Sequence, residues 1–480
     1  MIRHTLLYFV AFAMPGFLGF TSFSAYTRVL TPSEYAVYSV GASVSFLIGN
    51  VCYGWIRFSI GRFQAEMPDF NFLPFALACL AATTLVVAPI VVGGALWLAA
   101  APVWVIVGVL SMAMSQALFD STQEMRRARH QSLAFTKASV ARSVIGMALS
   151  VTAAWFFHKG SAVLFSIATG FFAMGAVYII GNRRWLTPGD IQRGPTRRFL
   201  AYGMPLALSG LVFSGNSTLA RLMVADSLGT AAAGQYGAAL DITGQIATMI
   251  AASVCSTVAP AAIRAYGLQG PAGARQELAA GLELFLGVLL PVVVGLAIVA
   301  EPFAAVVSGR DFEGVVGKLL PLLVVSRGLN VFSQFYLHLG FQIVEKPLRQ
   351  VACGAATLAI NLVMNFILTR MFGLTGAAVA LVLADLGGVL VSFVLLHPVF
   401  PMPFPPAKVA AIVAAVSAMA ICCQTAMNLV QGASSLRLVI TIATGVLVYA
   451  VVVLIFDICQ ARTLLRSRDY RSILSQLRRV

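Results

Sequence analysis

The chain has 480 residues, 59% of them hydrophobic and only 10% charged, with a formal net charge of +15 at pH 7. This composition leaves too little polar surface to cover a water-soluble globule of that length, so it excludes a soluble protein and places the chain in a bilayer. The hydrophobic runs are long and apolar on all sides, which predicts membrane-spanning helices rather than the alternating strands of a β-barrel.

Apolar runs separated by polar breaks predict about fourteen membrane spans. They fall near residues 5–27, 36–57, 72–96, 102–123, 138–157, 161–181, 200–221, 232–257, 279–300, 316–340, 350–369, 374–396, 408–428 and 436–456. We expect an all-α polytopic membrane protein with two pseudo-symmetric six-helix lobes around a central cavity, followed by two C-terminal helices. The predicted divisions are an N-terminal lobe at 1–182, a basic cytoplasmic linker at 183–198, a C-terminal lobe at 199–397, spans thirteen and fourteen at 398–457 and a basic cytoplasmic tail at 458–480.

The first apolar run has the basic start and apolar middle of a secretory signal peptide. A second run follows it after only a short turn, and Arg28 ends the first run directly. This arrangement favours an uncleaved first span.

A hairpin-like stretch occurs twice in the sequence. In the second copy Arg221, Leu228, Gly229 and Tyr236 take the places of Arg28, Leu30, Thr31 and Tyr38 in the first. The spacing from the leucine to the tyrosine is the same in both copies. A hairpin used twice predicts two similar halves that face each other, with a ligand bound between them.

Basic residues collect on one side of the predicted topology. Arginine clusters lie at 126–129, 183–198 and 462–479, and all three face the cytoplasm if the N-terminus does. The positive-inside rule therefore predicts that both termini are cytoplasmic. The net charge reports this topology and contact with membrane lipids, and we expect no nucleic-acid partner. The tail from 461 to 480 is either an amphipathic helix on the inner leaflet or a disordered basic segment.

The seven cysteines and five histidines are scattered, with no CxxC pair and no ligand cluster. We therefore expect small buried cysteines, no metal and no cofactor. The sequence also lacks a nucleotide-binding loop and a nucleophile elbow, so we expect that the protein is not an enzyme.

Several charged residues fall inside predicted spans, where each costs about 2.5–3.5 kcal/mol at mid-span. Asp241, Arg327 and Asp385 lie near mid-span, Arg142 and Glu283 lie nearer an end, and Arg57 and Arg221 lie at span termini. The mid-span residues either line a functional cavity or form buried ion pairs, such as Asp385 with Arg327. The terminal residues either serve the same cavity or extend to the membrane surface.

The types of these residues indicate two roles. Arginine binds phosphate through two hydrogen bonds and keeps its charge, so arginines around a cavity suit a pyrophosphate. Acids change protonation, so Asp241, Glu283 and Asp385 are candidates for ion coupling. Asn330 and Gln334 are candidates to line a polar path for sugars, or to form interhelical hydrogen bonds, the role we favour for Asn361 and Asn365. Pro15 and Pro205 mark either moving helices or static kinks.

Four segments resemble a known family. They are RVLTPSEYAVYS after span one, YGMPLALSGL in span seven, LGTAAAGQYGAA before span eight and NLVMNFILTRMFGLTGAAVALVLAD at 361–385. Together they resemble the polysaccharide-transporter branch of the multidrug/oligosaccharidyl-lipid/polysaccharide (MOP) flippase superfamily, and within it the Wzx-type flippases of lipid-linked oligosaccharides. The resemblance covers essentially the whole chain.

The resemblance implies two six-helix lobes around a cationic cavity that opens alternately to each side of the bacterial inner membrane. The implied substrate is an undecaprenyl-pyrophosphate-linked glycan, and transport draws on an ion gradient. The candidate substrate-binding residues are then Arg28, Arg57, Arg142, Arg221 and Arg327. A polysaccharide polymerase and other assembly proteins are further expected partners, and a monomer is the favoured oligomeric state.

Three alternative functions stay open. One is an ion-coupled multidrug or cation antiporter of the related branch. Such an antiporter would need an acidic residue in the first span, whereas residues 5–27 contain neither Asp nor Glu. A second is a lipid II flippase. A third is a membrane glycosyltransferase or glycan polymerase, but no predicted outward loop is long enough to hold catalytic groups comfortably.

Overall fold

A computed structural model describes residues 2–64, 66–67, 70–97, 102–186, 196–430, 432–458 and 462. All regular elements in these ranges are helical. The α-helices are α1 Ile2–Val29, α2 Pro32–Ile48, α3 Gly54–Phe63, α4 Phe72–Trp97, α5 Val103–Ala128, α6 Ser132–Phe157, α7 Gly160–Gly181, α8 Thr196–Leu228, α9 Thr230–Ile298, α10 Ala300–Val307, α11 Arg310–Phe332, α12 His338–Ile343, α13 Pro347–Leu396, α14 Pro406–Leu429 and α15 Ser434–Ile455.

The two longest helices each contain a sharp bend at a glycine. Gly270 in α9 has φ 68° and ψ −159°, and Gly373 in α13 has φ 61° and ψ −140°, conformations that glycine adopts readily. Conversely, short π-helical turns at Gly49–Tyr53 and Ser333–Leu337 join α2 to α3 and α11 to α12 without a break. With these bends and joins, the long helical segments of the described residues follow the fourteen predicted spans in order.

Ten helices in the described part of the chain are long and apolar enough to cross a membrane. A helix satisfies its own backbone hydrogen bonds, which is why apolar runs of this length fold as helices in a bilayer. The predicted all-α polytopic membrane fold is therefore confirmed. The predicted tail helix after residue 461 lies, except for Arg462, outside the described residues.

Both copies of the repeated hairpin turn at the position predicted from their alignment. Thr31 caps the N-terminus of α2, where its side chain accepts a hydrogen bond from the backbone N–H of Glu34, and Pro32 occupies the first helical turn. At the equivalent place Gly229, with φ 87°, separates α8 from α9. The turn needs a capping residue in one copy and a left-handed glycine in the other.

The chain forms two compact units. The N-terminal unit comprises residues 3–238 and the C-terminal unit comprises 239–480 together with the first two residues. The division falls within α9, later in the chain than the predicted linker at 183–198, of which residues 187–195 are outside the described ranges. The predicted lobe boundaries stay a prediction.

In the N-terminal unit, α8 packs closely along α2 and α3. A Cβ on Gly54 would touch the Ala207 side chain at 3.5 Å, and Ser59 donates a hydrogen bond to the Phe199 carbonyl at 3.0 Å. Phe199 is fully buried, with its ring 4.9 Å from Phe63 and 5.2 Å from Phe75. Small residues and this aromatic cluster therefore hold one end of α8 in place.

In the C-terminal unit, α14 and α15 pack on the second limb of α9. Buried side chains of α14 share one hydrophobic core with Leu282 and Leu289, and partly buried side chains of α15 pack against that core. Tyr449 in α15 donates a hydrogen bond of 2.6 Å to the Gly287 carbonyl. The two C-terminal helices are therefore built into the core of this unit.

Candidate functional site

The N-terminal unit contains a charged cluster formed by three helices. Arg57 lies on α3, one turn after the π-helical turn that interrupts the second span. Its guanidinium is 3.5 Å from the Asp120 carboxylate on α5, and each of these side chains is 30% exposed. Among the described residues, its other N–H groups have no hydrogen-bond acceptor. This arginine therefore keeps donors available for a ligand.

Arg142 on α6 belongs to the same cluster. It interacts electrostatically with Asp120, and its guanidinium lies over the rings of Phe171 at 4.6 Å and Phe119 at 5.7 Å. It donates one hydrogen bond, of 2.7 Å, to Ser143. Aromatic faces hold the guanidinium in position and leave most of its hydrogen-bonding capacity unused.

Asp120 was not among the predicted site residues. It lies inside the predicted fourth span, at 102–123, and Gln116 one turn earlier hydrogen-bonds to its carboxylate. A count of acids within that span would have found it. Two arginines around one carboxylate leave this cluster one positive charge in excess.

The neighbouring charges do not cancel that excess. Glu124, one turn after Asp120, is paired with Arg127 on its own helix at 3.1 Å. An acid and a base so paired add no net charge. The cluster at Arg57, Asp120 and Arg142 is therefore a cationic site within a membrane-spanning bundle, where a charge is costly unless it has a function or a partner.

The structure places the other two predicted arginines of this unit elsewhere. Arg28 lies near the end of α1 and donates hydrogen bonds to the carbonyl and the hydroxyl of Ser24. Arg221 on α8 is buried and donates to the Ser39 hydroxyl at 2.8 Å, the Ser39 carbonyl at 3.0 Å and the Ser43 hydroxyl at 2.6 Å. In this structure Arg221 holds α8 against α2.

The C-terminal unit contains a second polar cluster, around Asp385 on α13. Its buried carboxylate accepts hydrogen bonds from Ser326 at 2.5 Å and Asn330 at 3.1 Å, and it interacts electrostatically with Arg327. Gln334 donates to the Asn330 carbonyl oxygen at 2.8 Å. Four predicted residues, two charged and two polar, thus lie together with Ser326, which was not among the predicted site residues.

The other two predicted acids lie apart from this cluster. Glu283 on α9 is buried and forms an ion pair with Lys408 in the first turn of α14. Asp241 is partly exposed on the first limb of α9, between buried Leu240 and Ile242. The Glu283 carboxylate therefore has a structural partner that the sequence did not suggest.

The two asparagines predicted to form interhelical hydrogen bonds are buried. Asn361 and Asn365 are fully buried, and Asn365 accepts a 2.6 Å hydrogen bond from Thr369.

The two prolines predicted inside spans one and seven lie within helices. Pro15 is in α1 and Pro205 is in α8. The described residues contain no group of three or more His, Cys, Asp and Glu side chains that could hold a metal ion.

Comparison with known proteins places the chain in a family. The family model described as "Polysaccharide biosynthesis protein" matches residues 26–317, more than half of the sequence. The chain belongs to the polysaccharide biosynthesis protein family. A search of curated proteins gives no significant match.

Solved structures with the same fold are transporters. The lipid II flippase MurJ, in an inward closed conformation, matches with a TM-score of 0.75 and 13% identity, over 97% of this chain and 100% of that one. An inward-facing multidrug resistance MATE family transporter of the MOP superfamily matches with a TM-score of 0.64 and 16% identity, over 84% of this chain and 98% of that one. A mutant of the Vibrio cholerae MATE transporter VcmN matches with a TM-score of 0.53 and 18% identity, over 83% and 98% respectively.

At these identities the structural matches establish the fold. The family match agrees with the predicted polysaccharide branch, and the fold is the one shared by the matched flippase and the matched transporters of the MOP superfamily, as predicted. This member of the polysaccharide biosynthesis protein family is thus a multi-pass membrane protein with a transporter fold.

Proposed function

We propose that the protein is a flippase that moves an undecaprenyl-pyrophosphate-linked oligosaccharide across the bacterial inner membrane by alternating access. The observation that carries this proposal is the Arg57 site. It places a guanidinium with unused donors within a spanning helix, beside a second arginine held between aromatic rings. Such a site suits a diphosphate, and the family is one of polysaccharide biosynthesis.

The depth of the site fits the chemistry of such a lipid. Arg57 lies about two turns before α3 ends, and Asp120 and Arg142 lie about two to three turns from the adjacent ends of α5 and α6. A diphosphate bound there would leave the headgroup region while its polyprenyl chain stays in hydrocarbon. Arg28 and Arg221 of the same unit stay further candidates to bind the diphosphate. Arg327, Asn330 and Gln334 of the C-terminal unit stay separate candidates to bind parts of the substrate, with the two amides suited to sugars.

Ion coupling is proposed for the acids of the C-terminal unit. Asp385 is the strongest candidate, because its carboxylate is buried among hydroxyl and amide donors that tolerate either protonation state or a bound cation. Asp241 is a second candidate. Glu283 is a weaker one, since Lys408 already neutralises it.

The test is to extract undecaprenyl-linked intermediates from cells that lack this chain and to determine which leaflet holds them. The proposal predicts that a complete pyrophosphate-linked repeat unit accumulates on the cytoplasmic leaflet. Unchanged glycan export, without accumulation and without a redundant flippase, would contradict it. The same extraction identifies the glycan.

The fold match to a lipid II flippase supports a second candidate, export of the peptidoglycan precursor lipid II, because that match covers nearly the whole of both chains. The extraction separates the two functions. Accumulated lipid II would favour the second candidate, and an accumulated polysaccharide repeat unit would favour the first.

We further propose that both termini face the cytoplasm, as the arginine clusters predict. A polysaccharide polymerase and other assembly proteins are the proposed partners, and the proposed oligomeric state is a monomer. This topology places the turns at Thr31 and Gly229 outside. A reporter that is active only on the outer side of the membrane should therefore be active when it is fused at either turn.

A further inference from the structure

We propose that Asp120 is an exchangeable counterion for the diphosphate site. In this proposal its carboxylate neutralises Arg57 and Arg142 when no ligand is bound, and it competes with the diphosphate so that the ligand can leave. The inference rests on the proposed function, because it concerns the same site. It assigns to an acid the role of setting how tightly an anion binds.

The geometry of the Arg57–Asp120 pair is that of a loose contact. The guanidinium nitrogen and the carboxylate oxygen are 3.5 Å apart, and 30% of each side chain is exposed. Arg142 interacts electrostatically with the same carboxylate, but the one hydrogen bond that it donates within the described part of the chain goes to Ser143. A carboxylate held this way neutralises two cations without occupying their hydrogen-bond donors.

Structural ion pairs in the same unit are built differently. Glu34 accepts a hydrogen bond of 2.9 Å from Lys159 and another of 2.9 Å from the Gly160 backbone N–H. That carboxylate thus closes the start of α7 onto α2 through both of its oxygens. The Arg57–Asp120 pair lacks such backbone anchoring among the described residues, so either partner can separate from the other while the helices stay in place.

The positions of the three residues also allow exchange. Arg57, Asp120 and Arg142 come from α3, α5 and α6, so no two of them are fixed at neighbouring positions on one helix. A diphosphate carries two phosphate groups and can accept bidentate hydrogen bonds from both guanidinium groups. On binding, it takes over neutralisation of the arginines and leaves Asp120 beside a like charge. The repulsion favours release.

The experiment measures binding of farnesyl pyrophosphate to the purified full chain in lipid nanodiscs. Asp120→Asn keeps the size and hydrogen-bonding ability of the side chain but removes its charge. We expect about tenfold tighter binding, the effect of removing one like unit charge ~7 Å away at an effective dielectric constant of about 35, between the near-surface and bulk-water values. Export of the lipid-linked glycan in cells should become slower, because the ligand leaves more slowly.

Three controls make the result specific. Glu124→Gln, one turn further along α5, removes an acid that pairs with Arg127 and does not contact Arg57 or Arg142, so it should change binding much less than Asp120→Asn does. Asp120→Glu keeps the negative charge and should therefore bind farnesyl pyrophosphate as tightly as the wild type does. Binding of the uncharged alcohol farnesol should not respond to either change, since the counterion acts only on the anion.

Unchanged or weaker binding by a stably folded Asp120→Asn variant, with wild-type binding that depends on Arg57, overturns the counterion role and leaves the proposed function standing. Absence of Arg57-dependent binding in the wild type overturns both. Asp120→Ser supplies a second neutral variant if Asp120→Asn is unstable. If both neutral variants unfold, Asp120 is a structural ion and the inference is wrong.

Discussion

Arg221 and its two serine partners provide a quantitative test of how α8 is held against α2. The guanidinium is 7% exposed and donates to the hydroxyls of Ser39 and Ser43 at 2.8 and 2.6 Å, and to the Ser39 carbonyl. A hydrogen bond to a charged group contributes about 1.5–3 kcal/mol. Ser39→Ala and Ser43→Ala should therefore each lower the free energy of unfolding by about 1.5 kcal/mol, since other acceptors remain.

Removing both serines should cost more than the sum of the single changes. The buried cation then retains one of the three acceptors named here, and breaking the contacts of a buried charge costs about 3–5 kcal/mol. In an Arg221→Met background the same serine changes should cost only a few tenths of a kcal/mol, so the coupling energy should be about 1–2 kcal/mol.

The assay is unfolding of the purified chain in one mild detergent, analysed as a double-mutant cycle. Ser45→Ala is the matched control, because Ser45 is also a buried serine of α2 but donates to the Gly41 and Val109 carbonyls instead. Its cost should be the same in both backgrounds. Equal costs for the Ser39 and Ser43 changes with and without the arginine would refute the assignment of Arg221 as the link between α8 and α2.

Three further changes test other contacts. Gly234→Ala should destabilise the fold by about 1–3 kcal/mol, because the new Cβ would overlap the backbone carbonyl of Pro32, whereas Gly244→Ala meets no atom within 4 Å and should be neutral or stabilising. Lys408→Ala should lower the thermal unfolding temperature more than Lys408→Arg, since it removes the positive charge that neutralises the buried Glu283 carboxylate. Asp385→Asn should remove the dependence of glycan export on the ion gradient while the protein level in the membrane is unchanged; retained dependence would exclude Asp385 as the coupling acid.

The spans were predictable from the sequence because the relevant physical signal is local. About 20 apolar residues in a row are needed to cross hydrocarbon, and such runs are visible without knowledge of the fold. The register of the repeat was predictable for the same reason: Thr31 and Gly229 aligned in sequence, and each stands at a turn.

The charged clusters were only partly predictable, because a partner can be far away in the chain. The sequence suggested Asp385 with Arg327, and the structure adds Ser326 and Asn330, which share one helix with the arginine. The sequence could not show that Lys408 approaches Glu283, which lies 125 residues earlier in the chain. Such pairings depend on which helix faces pack together.

The same limit applies to the five predicted arginines. Their residue type indicated an anion, but type alone cannot separate an arginine with unused donors from one used in packing. Arg57 and Arg142 meet around Asp120, whereas Arg221 is buried against serines. Which arginines a ligand can reach depends on the packing of α3, α5, α6 and α8.

The most direct test of the account is export of the lipid-linked glycan by Arg57→Ala, compared with Arg62→Ala on the same helix. Arg62 is exposed and paired with Glu66, so its removal leaves the cluster intact. At matched protein level in the membrane, the account predicts that Arg57→Ala accumulates the pyrophosphate-linked glycan on the cytoplasmic leaflet and that Arg62→Ala exports it normally. Normal export by both variants would contradict the assignment of the diphosphate to Arg57.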